Sequence, residues 1–156
     1  MKQHSEYSGK LFAKTLSEEK IPHVIEPSFG IGRIMYTILE HNYKKRSEKE
    51  KTRAYFSFPY SLSPFKCCIM PLNESDKKFQ PIQKQISDLL TEHGIMHTID
   101  DASGSIGKRY WRNDESGIYY AITLDYETFN DKCVTLRERD SMKQIRIKVK
   151  YFFSFK

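Results

Sequence analysis

No stretch of this 156-residue chain is apolar for long enough to cross a membrane, which takes about 20 residues. Residues 1–20 lack the hydrophobic core of a signal peptide and carry three glutamates, so no organellar presequence is expected there. Cysteine is scarce and badly spaced for structural work. Cys67 and Cys68 are adjacent and Cys133 stands far away, so neither a zinc ligand set nor a disulfide framework is present. A reduced, cytoplasmic-type protein without a metal site is expected. There is no internal repeat. A nucleotide-phosphate loop around Gly107-Lys108 also fails, because Ala102 stands where that motif needs Gly and Arg109 where it needs Ser or Thr.

What is present is an ordinary globular composition, 38% hydrophobic and 29% charged, in a chain long enough for one compact domain and a little more. The net charge of +6 favours polyanionic partners such as nucleic acid. The stretch Ile21 to Arg33 organises the first part. Val24-Ile25 has the β-branched character of a short buried strand. Pro27 holds Glu26 extended, and Gly30 and Gly32 let backbone approach a ligand. From there Ile31, Ile34, Met35, Ile38 and Leu39 recur at helical spacing, so a helix is expected from about Gly32 to His41 or Tyr43. Arg33 falls in its first turn, where a cation is disfavoured by about 0.3–1 kcal/mol but a phosphate is welcome. Glu26, ending an apolar strand, is placed to receive an ammonium or hydroxyl. The bland alternative is a surface strand–turn–helix with solvated charges.

Upstream, Leu11-Phe12-Ala13 suggests a short strand and residues 17–20 a turn. Downstream, residues 44–53 form a charge run without apolar periodicity, more readily a solvated connection than an RNA-binding arm. Prolines at 59 and 64 exclude a continuous helix. After Phe65 the pattern alternates. Cys67 to Met70 is an interior strand ended by Pro71. Phe79, Ile82, Ile86, Leu89 and Leu90 make a helical stripe stopped by Gly94. Ile95–Ile99 is a second strand, residues 105–115 a helix, and Ile118, Tyr120, Ile122 and Leu124 one face of a third strand. Val134–Leu136 and Ile145–Val149 complete the set, joined by a hairpin at Asp140-Ser141-Met142. The order β-α-β-α-β-β-β predicts an α/β fold with a five-stranded mixed sheet flanked by helices.

The helix at 105–115 is expected to bury Ile106 and Tyr110 and to leave Lys108, Arg109 and Arg112 pointing elsewhere, with Lys108 and Arg112 neighbours at i,i+4. Arg137 and Arg139 share one strand side, as do Arg146, Lys148 and Lys150. Such side chains can track a phosphate backbone while aromatic rings stack unpaired bases. Equally, they can pair internally with Asp100, Asp101, Asp114, Glu115 or Glu138. Alternation puts Glu138 on the Val134/Leu136 face, either past the edge of the core or held by a buried arginine.

Two sets of motifs resemble one family. Val24 to Tyr36 resembles the third signature motif of class II aminoacyl-tRNA synthetases, and Glu26-Pro27-Ser28 is the form seen in glycyl-tRNA synthetases of the eukaryotic and archaeal type. Ser57-Phe58-Pro59, Asp100-Asp101 with Ser105 to Tyr110, Arg112 to Glu115, and Val134 to Ser141 resemble the anticodon-binding domain shared by several class II enzymes. The resemblance implies that Glu26, Pro27 and Ser28 bind glycine, that Arg33 binds ATP, and that Lys108, Arg109, Arg112, Arg137 and Arg139 face the tRNA anticodon. It implies residues 1–53 as a C-terminal piece of the catalytic domain with its linker, carrying the motif at 24–36, and residues 54–156 as the anticodon-binding domain. The implied parent is a homodimeric glycine–tRNA ligase using ATP and Mg2+, with no membrane partner. No segment resembles the family's first two motifs, so this chain alone is expected to bind tRNA without a bound cofactor and without activating glycine. A free-standing RNA-binding module and a non-enzymatic accessory subunit are the alternatives.

Overall fold

The computed structural model describes residues 6–7, 23–48 and 51–149. The strand at Leu11–Ala13, the turn at 17–20, the start of the motif at Ile21-Pro22, and Lys150 lie outside them. The chain forms two compact units, residues 1–36 and 37–156.

In the first unit, residues 23–30 have no regular secondary structure, and Val24 and Ile25 are exposed, Ile25 by 95%. This corrects the buried strand expected there. A strand needs a neighbour to take its backbone hydrogen bonds, and among the described residues none pairs with this one. Helix α1, Ile31–Asn42, begins where Ile34 N–H donates to the Gly30 carbonyl at 3.1 Å. Its apolar stripe forms as the spacing requires, but no residue of α1 is buried.

The second unit contains two sheets. One is a two-stranded antiparallel ribbon, β1 (Tyr43–Glu48) with β2 (Lys51–Phe56), in which Arg46 faces Arg53 and Lys45 faces Ala54. The charge run therefore is not a featureless connection. The other is the expected five-stranded mixed sheet. Its strands are β3 (Cys67–Pro71), β4 (His97–Ile99), β5 (Tyr120–Leu124), β6 (Cys133–Glu138) and β7 (Gln144–Lys148), in the order β4-β3-β5-β6-β7. The β3–β4 and β3–β5 pairs are parallel, and the β5–β6 and β6–β7 pairs antiparallel.

Between strands lie helices α2 (Gln80–Glu92), α3 (Ile106–Glu115) and a single turn, α4 (Thr128–Asp131). A 3-10 turn, Lys77–Phe79, leads into α2, and Pro81 sits in its first turn where no N–H is required. At its end Gly94 adopts φ +66° while Ile95 N–H closes on the Leu90 carbonyl at 2.8 Å. The two helices cover opposite faces of the sheet. Phe79, Ile86 and Leu90 pack on Cys67, Ile69, Ile122, Leu124 and Val134. On the other face Ile106 and Tyr110 pack on Cys68, Met70, Ile118 and Ala121. Strand alternation splits β3 between these two layers, and burying each large apolar side chain stabilises by about 1.5–3 kcal/mol.

Candidate nucleic-acid interface

Helix α3 holds three of the five basic residues singled out above. Ser105, extended at φ −64° and ψ 148°, stands before the helix as its cap residue. From Ile106, positions 109, 110 and 113 follow at i+3, i+4 and i+7, so they share the inner face. Tyr110 hydroxyl meets Thr123 Oγ1 at 2.6 Å, and Asn113 Nδ2 donates to Met70 Sδ at 3.0 Å. Arg109 goes inward with them and has no exposed surface. Its Nε donates to Asp100 Oδ2 at 2.9 Å, Nη1 to the Pro71 carbonyl at 2.6 Å, and Nη2 to the Asp100 carbonyl at 2.6 Å.

Arg137 and Arg139 are interior as well. Arg137 makes a two-pronged pair with Asp114, at 2.8 and 2.9 Å, and lies over the Tyr110 ring. Arg139 donates to the carbonyls of Gly117 and Phe58 and to the Asp140 carboxylate. These placements correct the expectation that all three point outward to RNA. A guanidinium leaves water only when its five donors find acceptors, and here β-strand ends, a tight turn and three aspartates, Asp100, Asp114 and Asp140, supply them. Lys108 and Arg112 do share the exposed face predicted by their spacing. Arg112 is about half exposed, 3.7 Å from Asp100. Glu138 takes the first of its two expected courses and lies past the edge of the core, at the end of β6. Its carboxylate accepts from the Asp140 and Ser141 N–H groups and the Ser141 hydroxyl, closing the β6–β7 hairpin. Burial raises its pKa, but these hydrogen bonds more than offset that, and it settles below the usual value.

Arg146, on β7, is also committed, to Asp125 and Asp131 through four hydrogen bonds. The guanidinium holds Asp131 down to about 2, helped by the Cys133 N–H. Asp125 is lowered by the same arginine.

The first unit supplies Glu26, Pro27, Ser28 and Arg33, all exposed. They lie within one short segment, and Arg33 folds back on its own turn, since a Cβ on Gly30 would sit 3.6 Å from Arg33 Cδ.

What composition alone did not reveal is a cleft of about 210 Å³ between the β1–β2 ribbon, α3 and the β6–β7 hairpin. Arg46 pins the ribbon down, donating to Asp114 Oδ2 at 3.2 Å and to the carbonyls of Arg139 and Asp140. It also lies 4.4 Å over the Tyr55 ring, and Arg53 lies 4.6 Å over Trp111. Tyr55, Trp111, Arg46, Arg53 and Arg137 all line the space. The only sequence signal was the aromatic pair Tyr55-Phe56 closing the charge run.

Residues 66–155, more than half of the chain, match the family model described as an anticodon binding domain. The chain belongs to the anticodon-binding-domain family. Relatives extend the match beyond this domain. Glycine–tRNA ligase of Bombyx mori is 51% identical over 131 residues, which is 83% of this chain and 18% of that protein. Glycine–tRNA ligase of Methanothrix thermoacetophila is 47% identical over 130 residues, 83% of this chain and 22% of that protein. The chain thus spans about a fifth of the length of these curated relatives. Among solved structures, the prolyl-tRNA synthetase of Cryptosporidium parvum superposes with a TM-score of 0.60 at 19% identity, over 64% of this chain and 21% of that one. That likeness supports the fold of the anticodon-binding domain alone. Among the described residues no helix is long and apolar enough to cross a membrane.

Proposed function

We propose that this chain is the C-terminal part of a glycine–tRNA ligase and that its share of the work is to dock the anticodon end of tRNA. The observation that carries this is the 51% identity to a glycine–tRNA ligase over 83% of the chain, together with the anticodon-binding domain at residues 66–155. The division at residues 53 and 54 follows from the same reading. Residues 1–53 belong to the catalytic part and residues 54–156 to tRNA binding.

In the parent enzyme, ATP activates glycine to glycyl-adenylate with release of pyrophosphate, and the glycyl group passes to the 3′ end of tRNA. Glu26 would take the glycine ammonium as an ion pair, Ser28 would hydrogen-bond glycine, and Pro27 fixes the backbone between them. Arg33 would neutralise ATP phosphate from the first turn of α1. Mg2+ would assist ATP in the parent, but among the described residues no group of three or more His, Cys, Asp or Glu could hold a metal. The exposure of Glu26, Ser28 and Arg33 fits a half-site that needs an opposing wall. By itself the chain is expected to show no glycine-dependent ATP–pyrophosphate exchange above background. The homodimer belongs to the parent.

On the tRNA side, the exposed Lys108 and Arg112 are the contacts, while Arg109, Arg137 and Arg139 hold the framework that presents them. The test is tRNA binding at two salt concentrations, comparing a glycine tRNA with one changed only in its anticodon. Preference for the glycine tRNA that survives added salt supports docking at the anticodon. Equal binding that salt abolishes for both would leave only a basic surface.

A further inference from the structure

The β1–β2 ribbon is attached to the second unit in a way that lets it leave as one piece. Among the described residues its strands pair with each other, from Tyr43 opposite Phe56 to Glu48 opposite Lys51, and not with the five-stranded sheet. Detaching it therefore breaks no ladder hydrogen bond and orphans no strand N–H. Arg46 makes the main polar attachment, through Asp114 Oδ2 at 3.2 Å and the Arg139 and Asp140 carbonyls at 2.8 and 3.1 Å. Lys44 adds a Coulomb attraction to the Asp140 carboxylate. The remaining contacts are between flat groups, Arg53 over Trp111 and Phe56 stacked on Phe58 at 5.1 Å. Phe58 itself is held with the sheet, buried and with its carbonyl taking Arg139 Nη2 at 2.6 Å. The break between ribbon and sheet falls at Ser57.

The charges at this attachment are not equivalent. Arg137 holds both oxygens of Asp114, at 2.8 and 2.9 Å, so the carboxylate stays paired when Arg46 withdraws. The Arg46 side chain is already 17% exposed, against 7% for Asp114 and Arg137, and it withdraws toward water. The Asp140 carbonyl it leaves lies at the surface. Opening thus leaves no buried charge alone, which is what makes breaking most buried ion pairs so costly. We propose that the ribbon is a strap that opens and closes on α3 and the β6–β7 hairpin as one unit, with Arg46 as its latch on Asp114, while the five-stranded sheet stays folded. Opening uncovers the Trp111 ring and frees residues 43–56 from the domain at 66–155. A lone two-stranded ribbon is marginal in water, so its amides lose protection once it is free. RNA docking is not needed for this motion.

Native-state hydrogen exchange of the full chain tests this, read by mass spectrometry on peptides from the ribbon, β3 and β5 at urea concentrations below global unfolding. Ribbon amides are expected to open at least about 100-fold more often than those of β3 and β5, with a weaker urea dependence because less surface is exposed. The β1 and β2 peptides should share that dependence. Arg46→Gln is expected to speed ribbon exchange about tenfold, the worth of a typical hydrogen bond, and to leave β3 and β5 unchanged. Asp114→Asn is expected to speed both, because it also strands Arg137 inside. Trp111 is the single tryptophan, and acrylamide quenching of its emission should rise in Arg46→Gln while the sheet remains folded. Ribbon and central strands exchanging together, or β1 and β2 opening with different urea dependences, would overturn the strap. Ribbon exchange or Trp111 quenching unmoved by Arg46→Gln, or exchange rising equally in β3 and β5, would overturn the latch.

Discussion

Replacing Arg109 by methionine separates a framework arginine from an RNA contact. Methionine keeps much of the aliphatic volume but removes every donor. The Asp100 carboxylate, 12% exposed, then loses its 2.9 Å partner, and the Pro71 and Asp100 carbonyls lose donors at 2.6 Å. Removing one member of a buried ion pair costs about 3–5 kcal/mol, mostly as the penalty of the orphaned charge. A domain of this size is stable by about 5–15 kcal/mol in total. At about 4 °C per kcal/mol, melting should fall by about 12–20 °C. Thermal and urea unfolding, followed by circular dichroism and by Trp111 emission, measure this directly. Asp100→Asn combined with Arg109→Met should lose less than the sum of the single changes, because the orphaned charge is then gone. A variant within about 0.5 kcal/mol of the parent, the range of ordinary surface substitutions, that nonetheless lost tRNA affinity would refute the interior placement of Arg109.

Arg46→Gln should release the β1–β2 ribbon, costing about 1–3 kcal/mol through the Arg139 and Asp140 carbonyls left without this donor, and hydrogen exchange should rise across the ribbon. Gly117→Ala should destabilise by at least about 1–3 kcal/mol in chemical denaturation. Gly117 has φ +73°, and a Cβ there would sit 2.7 Å from Phe58 Cε2. The Arg146 cluster gives an acid-side dependence. Asp131 is held at about 2, against an ordinary 3.8, so its contribution is complete above about pH 4 and disappears as pH falls toward 2. Arg146→Gln should flatten that part of the melting-temperature profile. Burial pushes the Cys67 and Cys68 thiols up to about 12, with neighbouring Cys68 and Asp100 respectively adding to it. Thiol titration should therefore modify half-buried Cys133 first in the native chain, and all three only in denaturant.

The anticodon-binding half was legible because its elements carry single, uncontested periods. The Phe79–Leu90 stripe became α2, the Cys67–Pro71 run became β3, and the glycines at 94 and 117 ended helices where expected. For the interior arginines the sequence left RNA contact and internal pairing both open, and in Arg109 and Arg137 the fold takes the second. Arg109 lies three residues after Ile106, on the inner face, so the spacing contained the answer while the charge suggested the opposite. The pairings that decide it, with Asp100 nine residues away and with Pro71 thirty-eight away, exist only after folding. The ribbon was hidden for a related reason. Its β1 arm contains mostly charged residues, and what turns Arg46 inward is Asp114, sixty-eight positions on. At Val24-Ile25 the local preference was for a strand, but preference without a ladder partner does not make one.

The two outer strands of the main sheet have a consequence for how this molecule behaves in a crowd. An unpaired strand edge is a template on which another chain can add itself, the first step of aggregation. Here β4 is only three residues long, and β7 carries Arg146 and Lys148 within its five. A short edge gives an intruding strand too few hydrogen bonds, and on β7 the Arg146–Asp125–Asp131 cluster and Lys148 set charged groups that an added strand would have to accommodate. The central strands, the most apolar part of the sequence, lie between them. The sheet therefore resists end-to-end growth even where its concentration is high.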